Sequence, residues 1–374
     1  MMVNMMKLST LLALAAGSSL SQAQSCNGGS PALDGADFIL ADQGDNAHLA
    51  PLSKIFADAG KLVNVSDVFA DGNHAMTGSD TKLKWESTAD FDDFNTHKWV
   101  PQGISSTADA AAEGTYDGAD GWVISWHNDG DTSVRVTFID RETKKYRHAL
   151  LVYPEADDDF RAVPIHAGGI VWYGDTLWVV DTWNGIRVFD MSNIWQVGSG
   201  DGVGKVSDGE YSAANYKYVI PQIRWYKWTP TSFKFRHSWV SLDRTVSPHR
   251  LLVGEYNKDA SAADTRVVQY ELDEATHKLK GDETAAVFAH CVAINRMQGG
   301  LALGDTFFLS RSNGASNGDL FSWTPGNTAV NNVGFYPPSP EDLSYDERTD
   351  VVYGLTEVAG GRYVFTDKRS DIKT

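Results

Sequence analysis

The chain has 374 residues, 42% of them hydrophobic, and a formal net charge of −17. So acidic a chain repels phosphate backbones and anionic membrane surfaces, which sets aside nucleic acid and membrane as partners. Its 12 Trp and 34 Gly fit short strands joined by tight turns, and the sequence has few of the Ala/Leu/Glu/Lys runs that long helices need.

In chain order, the N-terminus reads as a signal peptide. Lys7 supplies the positive charge, Leu8 to Ala16 a short apolar run, and Ser21-Gln22-Ala23 the small residues of a cleavage site. The run is too short to span a bilayer. Residues 1–23 are therefore expected to be removed, leaving 24–374 as one exported domain, a monomer. In an oxidising compartment the chain's 2 cysteines, Cys26 and Cys291, are expected to pair; two free thiols are the alternative. Asn64-Val65-Ser66 is a glycosylation sequon, so Asn64 is a candidate acceptor.

Repetition dominates the rest. Five segments share a polar or small residue, then Gly or Asp, then an apolar strand: Pro101–Ser105, His166–Ile170, His237–Ser241, Met297–Leu301 and Pro340–Ser344. A second apolar run follows each, at Trp122–Trp126, Leu177–Asp181, Leu251–Glu255, Phe307–Arg311 and Val352–Thr356. Gly- and Asx-containing turns such as Asn128-Asp129-Gly130 then lead to third strands, of which Val134–Phe138 alternates most cleanly. Fourth strands fit Arg147–Tyr153, Tyr216–Ile223, Ala285–His290 and Ala329–Phe335. The last unit lacks one, and an N-terminal strand at Leu62–Phe69 is expected to supply it and close the ring. The predicted fold is an all-β, β-propeller chain of five blades. A β-sandwich is the alternative, but it has no reason to repeat one strand order five times. Asp71–Lys98 and Met191–Tyr216 read as loops.

In such a ring the first-strand starts and second-strand ends meet at one channel mouth. The candidate acid/base residues are Glu341, Asp342, Glu255, Asp181 and His166. The candidate substrate contacts are Arg311, Gln298, Gln102, His237 and Glu357, with Trp126 and Trp183 as stacking surfaces. A bland reading stands beside this one: polar groups near an axis also satisfy strand ends, and Glu341-Asp342 after Pro340 is a natural turn former. Asp157–Asp159 and Asp90–Asp93 lack calcium-loop spacing and read as solvated acidic turns. No phosphate loop, dinucleotide fingerprint, zinc-protease helix or nucleophile elbow is present.

The stretches Lys98–Gly103, His166–Tyr173, Met297–Gly299 and Pro340–Tyr345, with Leu355–Glu357, resemble a group of secreted β-propeller proteins of fungi and actinobacteria. The resemblance spans the chain from about Lys98 onward. It implies secretion and a propeller, and it transfers no catalytic residue. At fold level alone, five-bladed glycoside hydrolases and lectins are similar. The expected function is an extracellular carbohydrate-active enzyme, a hydrolase or lyase, that needs no cofactor. A glycan-binding lectin-like propeller is one alternative. A lactonase or esterase with axial calcium is another.

Overall fold

A computed structural model of the chain describes residues 26, 30–229, 233–258 and 265–374. The signal-peptide reading falls on 1–23, outside the described residues. No helix among the described residues is long and apolar enough to cross a membrane.

Each repeat folds as an antiparallel meander. The first sheet runs Trp99–Ser106, Gly121–Asn128, Val134–Asp140, Lys145–Ala156. The second runs Ile170–Tyr173, Thr176–Asp181, Gly185–Asp190, Tyr218–Trp228. The third runs Trp239–Asp243, Arg250–Gly254, Arg266–Asp273, Phe288–Cys291. The fourth runs Met297–Leu303, Thr306–Asn313, Ser316–Trp323, Val330–Pro338. The fifth begins Pro340–Asp346, Val351–Thr356, Tyr363–Lys368.

The innermost strand of each sheet packs on that of the next, and the innermost strand of the fifth packs on that of the first. That closed circuit is the defining feature of a propeller. Apolar side chains fill the space between neighbouring sheets. Val136, Phe138, Trp172 and Val179 are buried between the first and second, and Trp239, Leu252, Met297 and Leu309 between the third and fourth.

Close approach at the axis explains the glycine in the repeated motif. A methyl group on Gly169 would meet the backbone nitrogen of Val240 at 2.5 Å, and one on Gly299 the carbonyl oxygen of Glu341 at 2.6 Å. Only a residue without Cβ lets the inner strands touch there.

Three expectations need correction. Asp71–Lys98 is not a loop throughout: it holds the short strands His74–Ala75, Thr77–Ser79 and Lys82–Lys84. The strand that closes the ring is Lys82–Lys84, which pairs with Tyr363–Phe365. Leu62–Phe69 does not do so: Leu62–Val63 pairs with Ile194–Trp195, and Val65–Ala70 is a helix. Asp67 accepts a hydrogen bond from the Asn64 backbone nitrogen at 3.0 Å, and Val65, Val68 and Phe69 bury one helical face. Asn64 itself is exposed. Finally, Met191–Tyr216 holds the strand Ile194–Gln196 and a hairpin of Val203–Ser207 with Glu210–Ala213, so it is not a bare loop.

The Cys26 and Cys291 sulfurs lie 2.06 Å apart, a disulfide. It ties the start of the described chain to the outermost strand of the third sheet, beside the backbone bonds of Cys291 N to Pro31 O and Leu33 N to Ala289 O.

Candidate functional site

Meander geometry carries the first-strand starts and the second-to-third-strand turns to the same mouth of the ring. A cavity of about 580 Å³ opens there, and every one of the five sheets lends it a residue: Gln102, Asp181, Ser238, Gln298 and Glu357 among them.

The second strands end in charged groups, and most are already paired across their own hairpins. Asp181 accepts from Arg187 Nε at 2.9 Å and from Asn184 at 2.8 Å. Glu255 is gripped by Arg266 at 2.6 and 2.9 Å and accepts the Arg236 backbone N–H at 3.0 Å. Arg311 pairs with Asp319. The proposed acid/base role of Asp181 and Glu255 therefore competes with a buried ion pair, and Arg311 is committed away from the cavity.

Glu357 differs. Its carboxylate meets the Gln102 side-chain amide at 2.9 Å and the carboxyl of Glu341. Glu341 is 1% exposed and accepts from Gln298 Nε2 at 2.9 Å. Burial first, then the Glu357 charge, pushes the Glu341 pKa well above the usual carboxylate range. Two carboxyls in contact cannot both ionise cheaply, which adds to the rise at Glu341.

Asp342 is buried beneath them. Its carboxylate accepts the backbone N–H of Ile170 at 3.1 Å and of Ile104 at 3.4 Å. It thus caps the inner strands of the first two sheets, a structural task at the axis. Below it Asp109 accepts from Ser105 at 2.7 Å and Ser344 at 2.6 Å, continuing the polar axis.

Trp183 stands in the turn after Asp181 and is 48% exposed. The Arg236 guanidinium lies 5.0 Å from its ring centre, and both residues line the cavity with Tyr256. Trp126 is not a platform: it is fully buried against Trp85 at 4.6 Å, with Arg135 4.5 Å from its ring centre. His237 is also out of a ligand's reach. It is fully buried beside Phe235 and Trp228, and burial pushes its pKa down to about 3. His166 reaches the cavity, with Nδ1 3.2 Å from Asp131.

Sequence reasoning missed Arg236 and Asp131. Arg236 sits just before the His237–Ser241 motif, and Asp131 just after the Asn128-Asp129-Gly130 turn, so both adjoin segments that face the mouth. Asp93 also needs correcting: it is 2% exposed, not a solvated turn, and accepts from Arg135, His148 and Tyr146.

One prediction follows from the carboxyl pair. In Glu341→Gln the amide oxygen can accept from Gln298 and the NH₂ can donate to Glu357, while the side chain never titrates. A group whose folded pKa is raised contributes stability that is present below its unfolded pKa and is lost as pH rises through the folded pKa. The variant should therefore gain on the natural chain as pH rises above about 4.5. Urea unfolding at several pH values measures the gap; a constant gap contradicts the raised Glu341 pKa.

No family model matches the chain, and no curated protein matches it. Among solved structures it is similar to the β-propeller domain of Myceliophteria thermophila Cps50 (Swd1). The identity is 10% and the TM-score 0.35, over 71% of this chain and 83% of that one. The propeller assignment rests on the strand order and the closed inner circuit.

Proposed function

We propose that the chain is an exported carbohydrate-active enzyme that binds a saccharide in the axial cavity and cleaves it with acid assistance from Glu357 and Glu341. The observation that carries this reading is the state of Glu357. It lines the cavity, its carboxylate is paired with no arginine among the hydrogen bonds and ion pairs of the described residues, and it touches a buried carboxyl, Glu341, whose pKa is pushed well above the usual range. A carboxyl held protonated directly behind the cavity wall can pass the proton that a departing sugar oxygen needs.

Trp183 supports the saccharide class, since an exposed indole stacks on the apolar face of a sugar ring. Around it Asn184, Gln298 and Arg236 offer donors to hydroxyl groups. The Cys26–Cys291 bond supports export to an oxidising compartment. The two glutamates touch, so they act as one proton donor and not as carboxylates on opposite faces of a glycosidic bond. The partner group then comes from elsewhere on the wall. A lectin-like reading fits less well, because this cavity joins unlike residues from all five sheets and does not repeat between them.

The test is a screen of purified protein for product release from plant, fungal and bacterial glycans. On a substrate so found, Glu357→Gln should lower kcat by about 10²–10⁴-fold. Trp183→Ala should mainly raise KM. Cleavage unchanged in Glu357→Gln would refute the assignment.

A further inference from the structure

We infer that His127, Asp131 and His166 form a binding site for a divalent transition-metal ion at the rim of the axial cavity. This goes beyond the saccharide reading, because the ion would bind the free protein.

Three segments bring the donors together. His127 ends the second strand of the first sheet, Asp131 lies in the turn after it, and His166 precedes the innermost strand of the second sheet. One donor atom from each lies within 4.8 Å of the others. His127 Nδ1 is 2.7 Å from Asp131 Oδ1, and His166 Nδ1 is 3.2 and 3.3 Å from the two carboxylate oxygens. Zinc bonds of about 2.0–2.1 Å in a tetrahedron separate neighbouring donors by roughly 3.3 Å, so small adjustments admit the ion. His127 Nδ1 also lies 3.1 Å from the Asn128 carbonyl oxygen.

The backbone is set for this placement. Asp131 holds φ at 54°, in the left-handed region that a non-glycine residue occupies at a cost. That conformation turns its carboxylate between two imidazoles whose rings are 4.1 Å apart. Without an ion, the same geometry is two imidazoles donating to one carboxylate; a metal replaces those protons.

The donor set selects the ion. Two imidazoles and one carboxylate suit zinc, cobalt or nickel, whereas calcium takes six to eight oxygens. Calcium, the ion of the lactonase alternative, is thus not what these residues fit. Three protein donors leave a coordination position open, and Asp131 and His166 both line the cavity.

Chelator-treated, dialysed protein should be titrated with Zn²⁺ by calorimetry and with Co²⁺ by visible absorption. One equivalent should bind with saturation, and bound Co²⁺ should give a d–d band. Asp131→Asn and His166→Gln should each weaken binding at least about 10-fold, while Asp305→Asn, at an exposed turn of the fourth sheet, should bind as the natural chain does. Circular dichroism checks that each variant is folded. Failure of the natural chain to bind Zn²⁺ with saturation would overturn the proposal. So would natural-strength binding by folded Asp131→Asn and His166→Gln proteins.

Discussion

Asp93→Ala should lower the unfolding free energy by about 3–5 kcal/mol, because it strips a buried cation of its partner. Arg135 is 3% exposed and donates to Asp93 at 2.6 Å, with the Trp99 and Trp126 ring centres 4.8 and 4.5 Å away. Asp93 also accepts from His148 Nε2 at 2.9 Å and from the Tyr146 hydroxyl at 3.0 Å. Burial alone would raise its pKa, but Arg135 and His148 prevail and hold it well below the usual carboxylate range. The Asp93 carbonyl accepts from Arg362 of the fifth sheet at 2.9 Å, so this one residue joins the closing segment to both sides of the ring seam. Urea unfolding of the variant measures the loss; a change below about 1 kcal/mol contradicts the account.

The same cluster sets an acid limit. Burial, then Arg135, pushes the His148 pKa down to about 4, and His237 falls to about 3 through burial alone. Both stay neutral in the folded chain, while the unfolded chain protonates them near 6.5. Their stabilising contribution is complete above about 6.5 and is lost progressively as pH falls toward 4.

The second large effect is expected from the disulfide. Cys26 and Cys291 are 265 residues apart, so the bond closes most of the chain into one loop. In the chain-entropy model it contributes about 3–5 kcal/mol by restricting the unfolded state. The Cys26→Ser, Cys291→Ser double variant should lose that amount in urea unfolding while its far-ultraviolet circular dichroism stays unchanged. A loss under about 1 kcal/mol would mean that the backbone bonds of Leu33 and Cys291 already fix the segment.

What the sequence disclosed follows the strength of its local signals. The repeated strands alternate or run apolar over five or more residues, so their state is written locally. Lys82–Lys84 carries no such signal: it is short and basic, and becomes a strand by pairing with Tyr363–Phe365. Leu62–Phe69 misled in the other direction, because Val65, Val68 and Phe69 are apolar at helical spacing as well. At the site, Gln102, Gln298, Glu341 and Glu357 were visible from their places in the repeat. Which acids are engaged was not, since that depends on arginines one strand away, Arg187 for Asp181 and Arg266 for Glu255. Those partners sit across a hairpin turn, a spacing that can be sought in advance.

The central claim is that a saccharide enters the axial cavity and meets Trp183 and Glu357. Crystals of the protein soaked with oligosaccharides from plant, fungal and bacterial glycans test it most directly. The account predicts a sugar ring stacked on the Trp183 indole, with a glycosidic oxygen in hydrogen-bonding reach of Glu357. Sugar bound only at the outer edges of the sheets, with the cavity holding water alone, would contradict it.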